Sequence, residues 1–522
     1  MTALYRNRSD RASLFAGADR QYAAIKESLT SEDFQGKTEA EVQRWLAEEQ
    51  RELMRRLFQS HLTLRGQAQA QGPVVGADGE TRTHRRHGAL RQLESVFGTV
   101  EAERTGHGGR GLSTLYPVDA SLNLPETRYS LEVERQLAMM VARLSFDESL
   151  EMLGRMTGAH VPKRQAEEAV QRAASDFEAF YANSQLELGA PTSELLVLTF
   201  DQKGVVLRRE DLTEATRKAA DNARPKMDTR GSKGEPKRGR KRMAAVAAVY
   251  TVAPYVRTAQ DVIAGLRHIR DAAAKPRPRP EGKRVWASLT RELKDVITEA
   301  FDEAEGRDPE HRKRWLVLVD GDRKLTRWVR AEARRRGVEI TLVLDFIHAL
   351  EYLWKAAHVF FDEGTSEIEA WVLERLERML EGDISNVVAG MTRMATVRGL
   401  SAKDRKPVDT AARYLLGRKG MMRYEELLAM GAPIATGIIE GACRHLINDR
   451  MDLTGARWRL PSAEAVLRLR SILSSGDFDQ YWHFHEAVEA FRNHTSRYEY
   501  GKVPPVAMPT RRAHLRVVPS VD

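Results

Sequence analysis

Leu195-Leu196-Val197-Leu198-Thr199-Phe200-Asp201 and Trp315-Leu316-Val317-Leu318-Val319-Asp320 are the stretches whose reading decides the fold. Each is an unbroken apolar run closed by an aspartate. Short apolar runs of this kind read as central strands buried on both faces. A carboxylate at the tip of such a strand is costly unless it is solvated, paired or bound to a cation. A third acidic residue, Glu440, stands in Ile438-Ile439-Glu440-Gly441-Ala442, ahead of a strongly basic stretch. The order Asp, Asp, Glu suits phosphodiester chemistry run by two divalent cations. Each member has a plainer reading, because an aspartate at a strand end is more often a turn or cap residue. Asp322 rivals Asp320, and Asp449 and Asp452 rival Glu440.

Working outward, Thr326 to Arg336 reads as a helix ending at Gly337, and Ile340 to Leu344 as a further strand. Asp320 then lies at the turn of a strand-helix-strand unit. After Asp201, Gly204 is expected to turn the chain into Val205-Val206-Leu207, and Ala244 to Val252 is the next strand. Val262 to Ala273 and Val285 to Glu303 read as helices, as do residues 347 to about 430 and Ser462 to Leu473. Together these pieces predict an α/β fold with a ribonuclease-H-like core, a mixed sheet flanked by helices. Antiparallel strands come first, then units that extend the sheet in parallel. The strands of Asp201 and Asp320 would lie side by side, with Glu440 on a helix facing the same point. Oxygen-only ligands with open positions suit two Mg²⁺ or Mn²⁺ ions.

The N-terminal part reads differently. Residues 1 to about 65 are helical by periodicity, and Gln67 to Thr83 has the composition of a linker. Leu93, Val96, Phe97 and Val100 suggest a short strand pair, and glycine-rich Arg104 to Leu112 a loop. Within 128–182, Leu131 to Ala142 is one helix. Ser145 with Glu148 forms the capping-box pattern of a second, which ends at Gly158. A third opens with Lys163, Arg164 and Gln165. This is a helix-turn-helix pattern whose last helix could read DNA, or a plain three-helix packing unit. Lys237, Arg238, Arg240, Lys241 and Arg242 close a stretch without apolar period, expected as a mobile loop whose one-sided basic charge touches phosphates or is a solvated face. Arg444, Arg450 and Arg457 surround Glu440 and Trp458. Arginine can hold phosphates, and Trp458 either stacks on an unpaired base or belongs to the core.

Composition narrows the classes. A chain of 522 residues is too long for one ordinary domain. Its net charge of +9 and pI of about 9.5 suit a polyanionic partner. A single cysteine, Cys443, excludes a disulfide framework and a cysteine-rich zinc finger, and reads as a helix-packing residue. No apolar run has transmembrane length and the N-terminus lacks a secretory signal, so no membrane association is expected.

Residues from about 85 to 475 resemble the transposases of the ISKra group of bacterial insertion sequences. The matching stretches are Arg91 to Val100 (RQLESVFGTV), Leu115 to Pro125 (LYPVDASLNLP), Glu210 to Ala219 (EDLTEATRKA) and Lys241 to Val252 (KRMAAVAAVYTV). Leu318 to Lys324 (LVDGDRK), Asp345 to Leu353 (DFIHALEYL) and Ile438 to Trp458 (IIEGACRHLINDRMDLTGARW) complete them. The resemblance implies a DDE transposase in which Asp201, Asp320 and Glu440 are catalytic and hold the metal. Asp345-Phe346-Ile347-His348 resembles an Asp-x-x-His element of related superfamilies. His348 would help place a phosphate or a leaving hydroxyl, or is a satisfied histidine at a helix start. The implied partners are double-stranded DNA, as terminal inverted repeats and target, and further copies of the chain, as a homodimer or larger assembly on DNA. The implied location is a bacterial cytoplasm, with nucleoid association when active. Two departures stand out: Gln202 replaces a glycine common after the first aspartate, and no cysteine cluster serves as a DNA reader.

The resulting division is 1–75, a helical region and linker; 76–127, a basic connecting segment; and 128–185, the helix-turn-helix-like region. The core follows in 186–349, interrupted by a helical insertion, 350–432, and closed by the Glu440 helix in 433–475, before a C-terminal tail, 476–522. The alternatives are a structure-specific endonuclease with the same core and a catalytically silent DNA-binding protein.

Overall fold

The computed structural model describes residues 2–183, 194–222, 241–269, 276–453 and 455–507. The chain divides into two compact units, Met1–Asp176 with Asp479–Asp522, and Phe177–Phe478.

The first unit opens with two long helices, α1 (Thr2–Thr30) and α2 (Glu39–Gly66). A reciprocal capping box between Thr38 and Glu41 starts α2. Ser60 Oγ donates to Leu14 O and Arg56 Nη1 to Gly17 O, so the two helices run antiparallel. β1 (His84–Ser95) and β2 (Gly98–Gly109), twelve residues each, form a hairpin joined by β3 (Leu112–Leu115). The hairpin is far longer than the expected strand pair and absorbs most of the glycine-rich stretch expected as a loop. Gly106 is needed there because a Cβ would meet the Thr114 and Tyr116 side chains at 2.8–3.0 Å. Leu62 of α2 packs with Leu93, Val100, Ala102 and Leu124. The stretch expected as a linker is tied in as well, since Val74 is buried and Gln69–Ala70 pairs with Val506–Ala507.

Three helices follow as expected, α3 (Leu131–Val141), α4 (Phe146–Thr157) and α5 (Lys163–Ala173). Ser145 and Glu148 close a reciprocal capping box on α4, and Gly158 ends it at φ 75°. Gly158 takes a left-handed conformation that few other residues adopt cheaply. The segment set apart as a tail instead carries the helix Phe478–Asn493. Tyr481 Oη donates to Ala173 O at 2.6 Å, and His485 Nδ1 lies 2.7 Å from Asp176 Oδ2.

The second unit is mixed α/β around a five-stranded sheet. Its strands are β4 (Leu195–Val206), β5 (Lys241–Val252), β6 (Glu281–Ser288), β7 (Arg314–Val319) and β8 (Ile340–Leu344), in the order β6-β5-β4-β7-β8. β4 to β6 are antiparallel neighbours, whereas β7 and β8 run parallel to β4. Residues 195–200 and 315–319 are all buried, as central strands require. Gly204 does not turn the chain; it pairs with Met243, and β4 runs on to Val206.

The stretch expected as one helix from Val285 splits into β6 and helix α6 (Leu293–Arg307). β6 lies at the sheet edge, and its free backbone groups meet polar side chains of a distant helix. Ser475 Oγ accepts from Val285 N, Ser471 Oγ from Ala287 N, and Glu464 from Leu289 N. That cover removes an edge otherwise open to pairing. Between β7 and β8 runs α7 (Arg323–Arg336), and after β8 come α8 (Phe346–Ala357), α9 (Ser366–Leu380), α10 (Ile384–Val397) and α11 (Lys406–Leu416). The short α12 (Gly437–Ala442) carries Glu440, and α13 (Leu460–Ser475) supplies the serines that cover β6. Among the described residues no helix is long and apolar enough to cross a membrane.

Candidate metal centre

β4 and β7 pair in parallel register from Leu195↔Arg314 to Thr199↔Leu318. Asp201 and Asp320 stand two residues further along each chain, at the same level of neighbouring strands. Asp201 lies within β4, and Asp320 directly follows the last residue of β7. Asp201 is also held in the antiparallel ladder opposite Val246. Its Oδ1 accepts from Gln202 N at 2.6 Å. Its Oδ2 accepts from Cys443 Sγ at 3.1 Å.

That thiol brings in the third residue. Cys443 follows Glu440 by three positions, the spacing that puts two side chains on one helix face. It opens a π-helical turn, Cys443–Asn448, a wide turn that often marks sites where side chains are re-aimed. Burial pushes the Cys443 thiol well above its usual range, and the negative charges of Asp201 and Glu440 add to this. Glu440 is exposed, while Asp201 and Asp320 are half-buried.

The turn after Asp320 is clamped by α11 and the residues that follow it. Tyr414 Oη donates to Asp320 O at 2.6 Å, and Arg418 Nε to Gly321 O at 2.7 Å. Tyr414 stacks on Tyr352 with ring centroids 3.8 Å apart. Gly321 sits at φ 84°, and a Cβ there would meet Arg418 Nε at 2.5 Å. Asp320 Oδ1 accepts from Asp322 N, and Asp322 Oδ1 in turn caps α7 by accepting from Leu325 N. The rival Asp322 is thus the helix cap.

Asp345, buried at 1% exposure, links the sheet to the Glu440 helix. Its Oδ1 caps α8 through Ile347 N, and its Oδ2 accepts from both the backbone N–H and the hydroxyl of Thr436. Thr436 immediately precedes α12 and accepts from Glu440 N. His348 lies half-buried in the first turn of α8. The other rivals of Glu440 differ in setting: Asp449 is exposed and pairs with His445 at 3.1 Å, and Asp452 is exposed beyond α12.

Among the described residues no ion pair neutralises Asp201, Asp320 or Glu440. Carboxylates without an ion pair, on neighbouring strands and on the helix that Cys443 ties to Asp201, are oxygen donors of the kind that hard divalent cations take. Their ligand atoms do not all lie within 4.8 Å of one another, as those of Asp176, His485 and Glu489 in the first unit do. The tighter set needs no ion, because Arg492 pairs with both Asp176 and Glu489.

The expected DNA-contacting residues divide. Arg444 and Arg457 are exposed. Trp458 offers no free face: it is buried, its indole N–H donates to Met451 O at 3.0 Å, and its backbone bridges to Leu207 of the β4 end. Arg450 is buried at 3% exposure against the Trp458 ring, 4.8 Å from its centroid. Both belong to packing. Lys163, Arg164 and Gln165 are exposed at the start of α5. Lys163 pairs with Asp147 at 2.8 Å and Arg164 with Glu168 at 3.3 Å, and Gln165 accepts from the Tyr129 hydroxyl. Lys241 and Arg242 begin β5 rather than a loop, while Lys237, Arg238 and Arg240 lie outside the described residues. Thr436, Tyr414 and Arg418 were not singled out from sequence, and Cys443 was read there only as a helix-packing residue.

No family model matches the chain, and no curated protein matches it. Among solved structures it is similar to the "Drosophila P element transposase strand transfer complex", with TM-score 0.22 and 11% identity over 71% of this chain and 83% of that one. At that TM-score the likeness bears on neither fold nor function.

Proposed function

We propose that the second unit is a ribonuclease-H-like core that performs metal-dependent phosphoryl transfer on DNA, and that the chain is a DDE transposase of the ISKra kind. The observation that carries this reading is the parallel register that sets Asp201 level with Asp320, with the Glu440 helix joined to Asp201 through Cys443. The strand order β6-β5-β4-β7-β8, three antiparallel strands then two parallel ones, supports it.

Asp201, Asp320 and Glu440 would hold two Mg²⁺ or Mn²⁺ ions, which supply activation of the attacking oxygen and stabilisation of the leaving one. The chain's own residues do the positioning. The Cys443 thiol, kept protonated, orients the Asp201 carboxylate by donating to it. Tyr414 and Arg418 fix the turn that presents Asp320, and Asp345 fixes the start of the Glu440 helix. Outer partners of this kind typically govern ligand geometry. His348, three residues after Asp345, would help place the phosphate or the leaving hydroxyl. The three-helix region α3–α5 would read terminal repeats through Lys163, Arg164 and Gln165, with the chain acting as a dimer or larger assembly on DNA.

The DNA flanking the gene supplies the test. Pre-cut ends from any inverted repeats found there, incubated with the protein and Mg²⁺ or Mn²⁺, should be joined to a plasmid. Hydrolysis of bound ends without joined product would favour the structure-specific endonuclease reading. Binding without either reaction would favour the silent DNA-binding one.

A further inference from the structure

α7 leaves Asp320 by way of Gly321 and Asp322 and carries Arg323, Arg327, Arg330 and Arg334 at successive spacings of four, three and four residues. These positions fall on one helix face. All four are exposed, and among the described residues none forms an ion pair. The contrast with the rest of the helix is sharp: Arg335 pairs with Glu332 at 2.6 Å, and Arg336 with Asp302 at 2.7 Å. The unpaired row repels itself, since like charges at these spacings disfavour a helix. Arg323 also sits in the first turn, where the helix dipole is unfavourable to a cation and the adjacent acid, Asp322, is engaged as the cap. The same four arginines and Arg418 line a cavity of about 340 Å³ that reaches Gly321, beside the Asp320 turn.

We infer that this face of α7 is a track for the phosphates of a nucleic-acid strand leading to the carboxylates. The assignment rests on the phosphoryl-transfer reading for the direction of the track, not for its charge. Eleven residues of helix rise roughly 16 Å, against one phosphate per about 3.4 Å of duplex axis on each strand, so the row spans several phosphates. Planar guanidinium groups suit phosphate oxygens. A free polyphosphate anion shares this chemistry but calls for only the cavity, not the whole row.

The test is read without metal, in EDTA, so that it is independent of catalysis. Binding of the full chain to a short blunt DNA duplex is followed by fluorescence anisotropy across a salt series. Arg327→Gln combined with Arg330→Gln should reduce the salt slope by about two, since each phosphate contact contributes about 0.9. Lys218→Gln, which removes an exposed lysine paired with Glu214, should leave the slope nearly unchanged. Thermal melting of each variant separates lost contact from lost fold, and Arg327→Lys with Arg330→Lys should restore the slope. Inorganic pyrophosphate binding is measured by calorimetry in parallel. An unchanged DNA slope with weakened pyrophosphate binding would overturn the track in favour of a small-anion pocket. An unchanged slope with no pyrophosphate effect, or an equal loss in Lys218→Gln, would overturn it outright. In a parallel assay with Mg²⁺, failure of cleavage while the slope change is present would reject the catalytic reading alone.

Discussion

Cys443, the chain's single cysteine, touches Asp201 and shares a helix face with Glu440. From the sequence it reads as a small packing residue, because nothing local shows that residue 201 lies beside it. The strand-end settings of Asp201 and Asp320 were legible because unbroken apolar runs announce buried central strands. Arg450 was misread, and Trp458 was left open between base stacking and the core, because arginine and tryptophan look available until their partners are known. The thiol makes a residue-scale prediction. Its ionisation is pushed above the ordinary thiol range, so the reactive thiolate is scarce at neutral and mildly alkaline pH. Iodoacetamide at pH 8 should modify the native protein more than about 100-fold slower than the urea-unfolded chain. Equal rates would show that Cys443 is open and does not donate to Asp201.

Among the elements, the strand-helix-strand unit around Asp320 follows from local periodicity and was read correctly. β6 was not, because an edge strand whose N–H groups are satisfied by Ser471, Ser475 and Glu464 carries no local sign of its partners. Gly204 misled in the same way: glycine suggests a turn, yet here it lets Lys241 pass close on the neighbouring strand, where a Cβ would meet Lys241 Cδ at 2.8 Å. Asp345 joins three elements, the end of β8, the start of α8 and the start of α12. Asp345→Ala strands the Thr436 donors in a buried site and removes a cap, and should cost about 3 kcal/mol of stability. Asp345→Asn keeps an acceptor and should cost less than half of that. Urea unfolding of both variants decides it, and equal small losses would mean that the carboxylate does not hold α12.

At the scale of the whole molecule, the first unit is built from both ends of the described chain, which composition and periodicity did not foretell. The pairing of Asp176 with His485 and Arg492 spans more than 300 positions. Burial works to raise the Asp176 carboxyl, but hydrogen bonds from His485 and Arg492 outweigh it, and the net shift is downward from 3.8. A carboxyl lowered by folding adds stability above its unfolded value and loses it as pH falls through the folded one. Asp176→Asn should therefore lower the melting temperature of this unit at pH 7, and the gap to wild type should close as pH drops below 3.8. A gap that stayed constant with pH would assign the loss to packing instead.

The central claim is that Asp201, Asp320 and Glu440, and not their neighbours, hold the cations. Asp320 and Asp322 offer the sharpest comparison, being two residues apart with different duties. Asparagine caps a helix about as well as aspartate, so Asp322→Asn should leave the fold and the metal site intact, whereas Asp320→Asn removes a charged ligand. The measurement is Mn²⁺ titration by calorimetry of the full chain bound to duplex DNA, for wild type and both variants. The account predicts two ions for wild type and for Asp322→Asn, and loss of at least one ion in Asp320→Asn. Two ions at wild-type affinity in Asp320→Asn would contradict it.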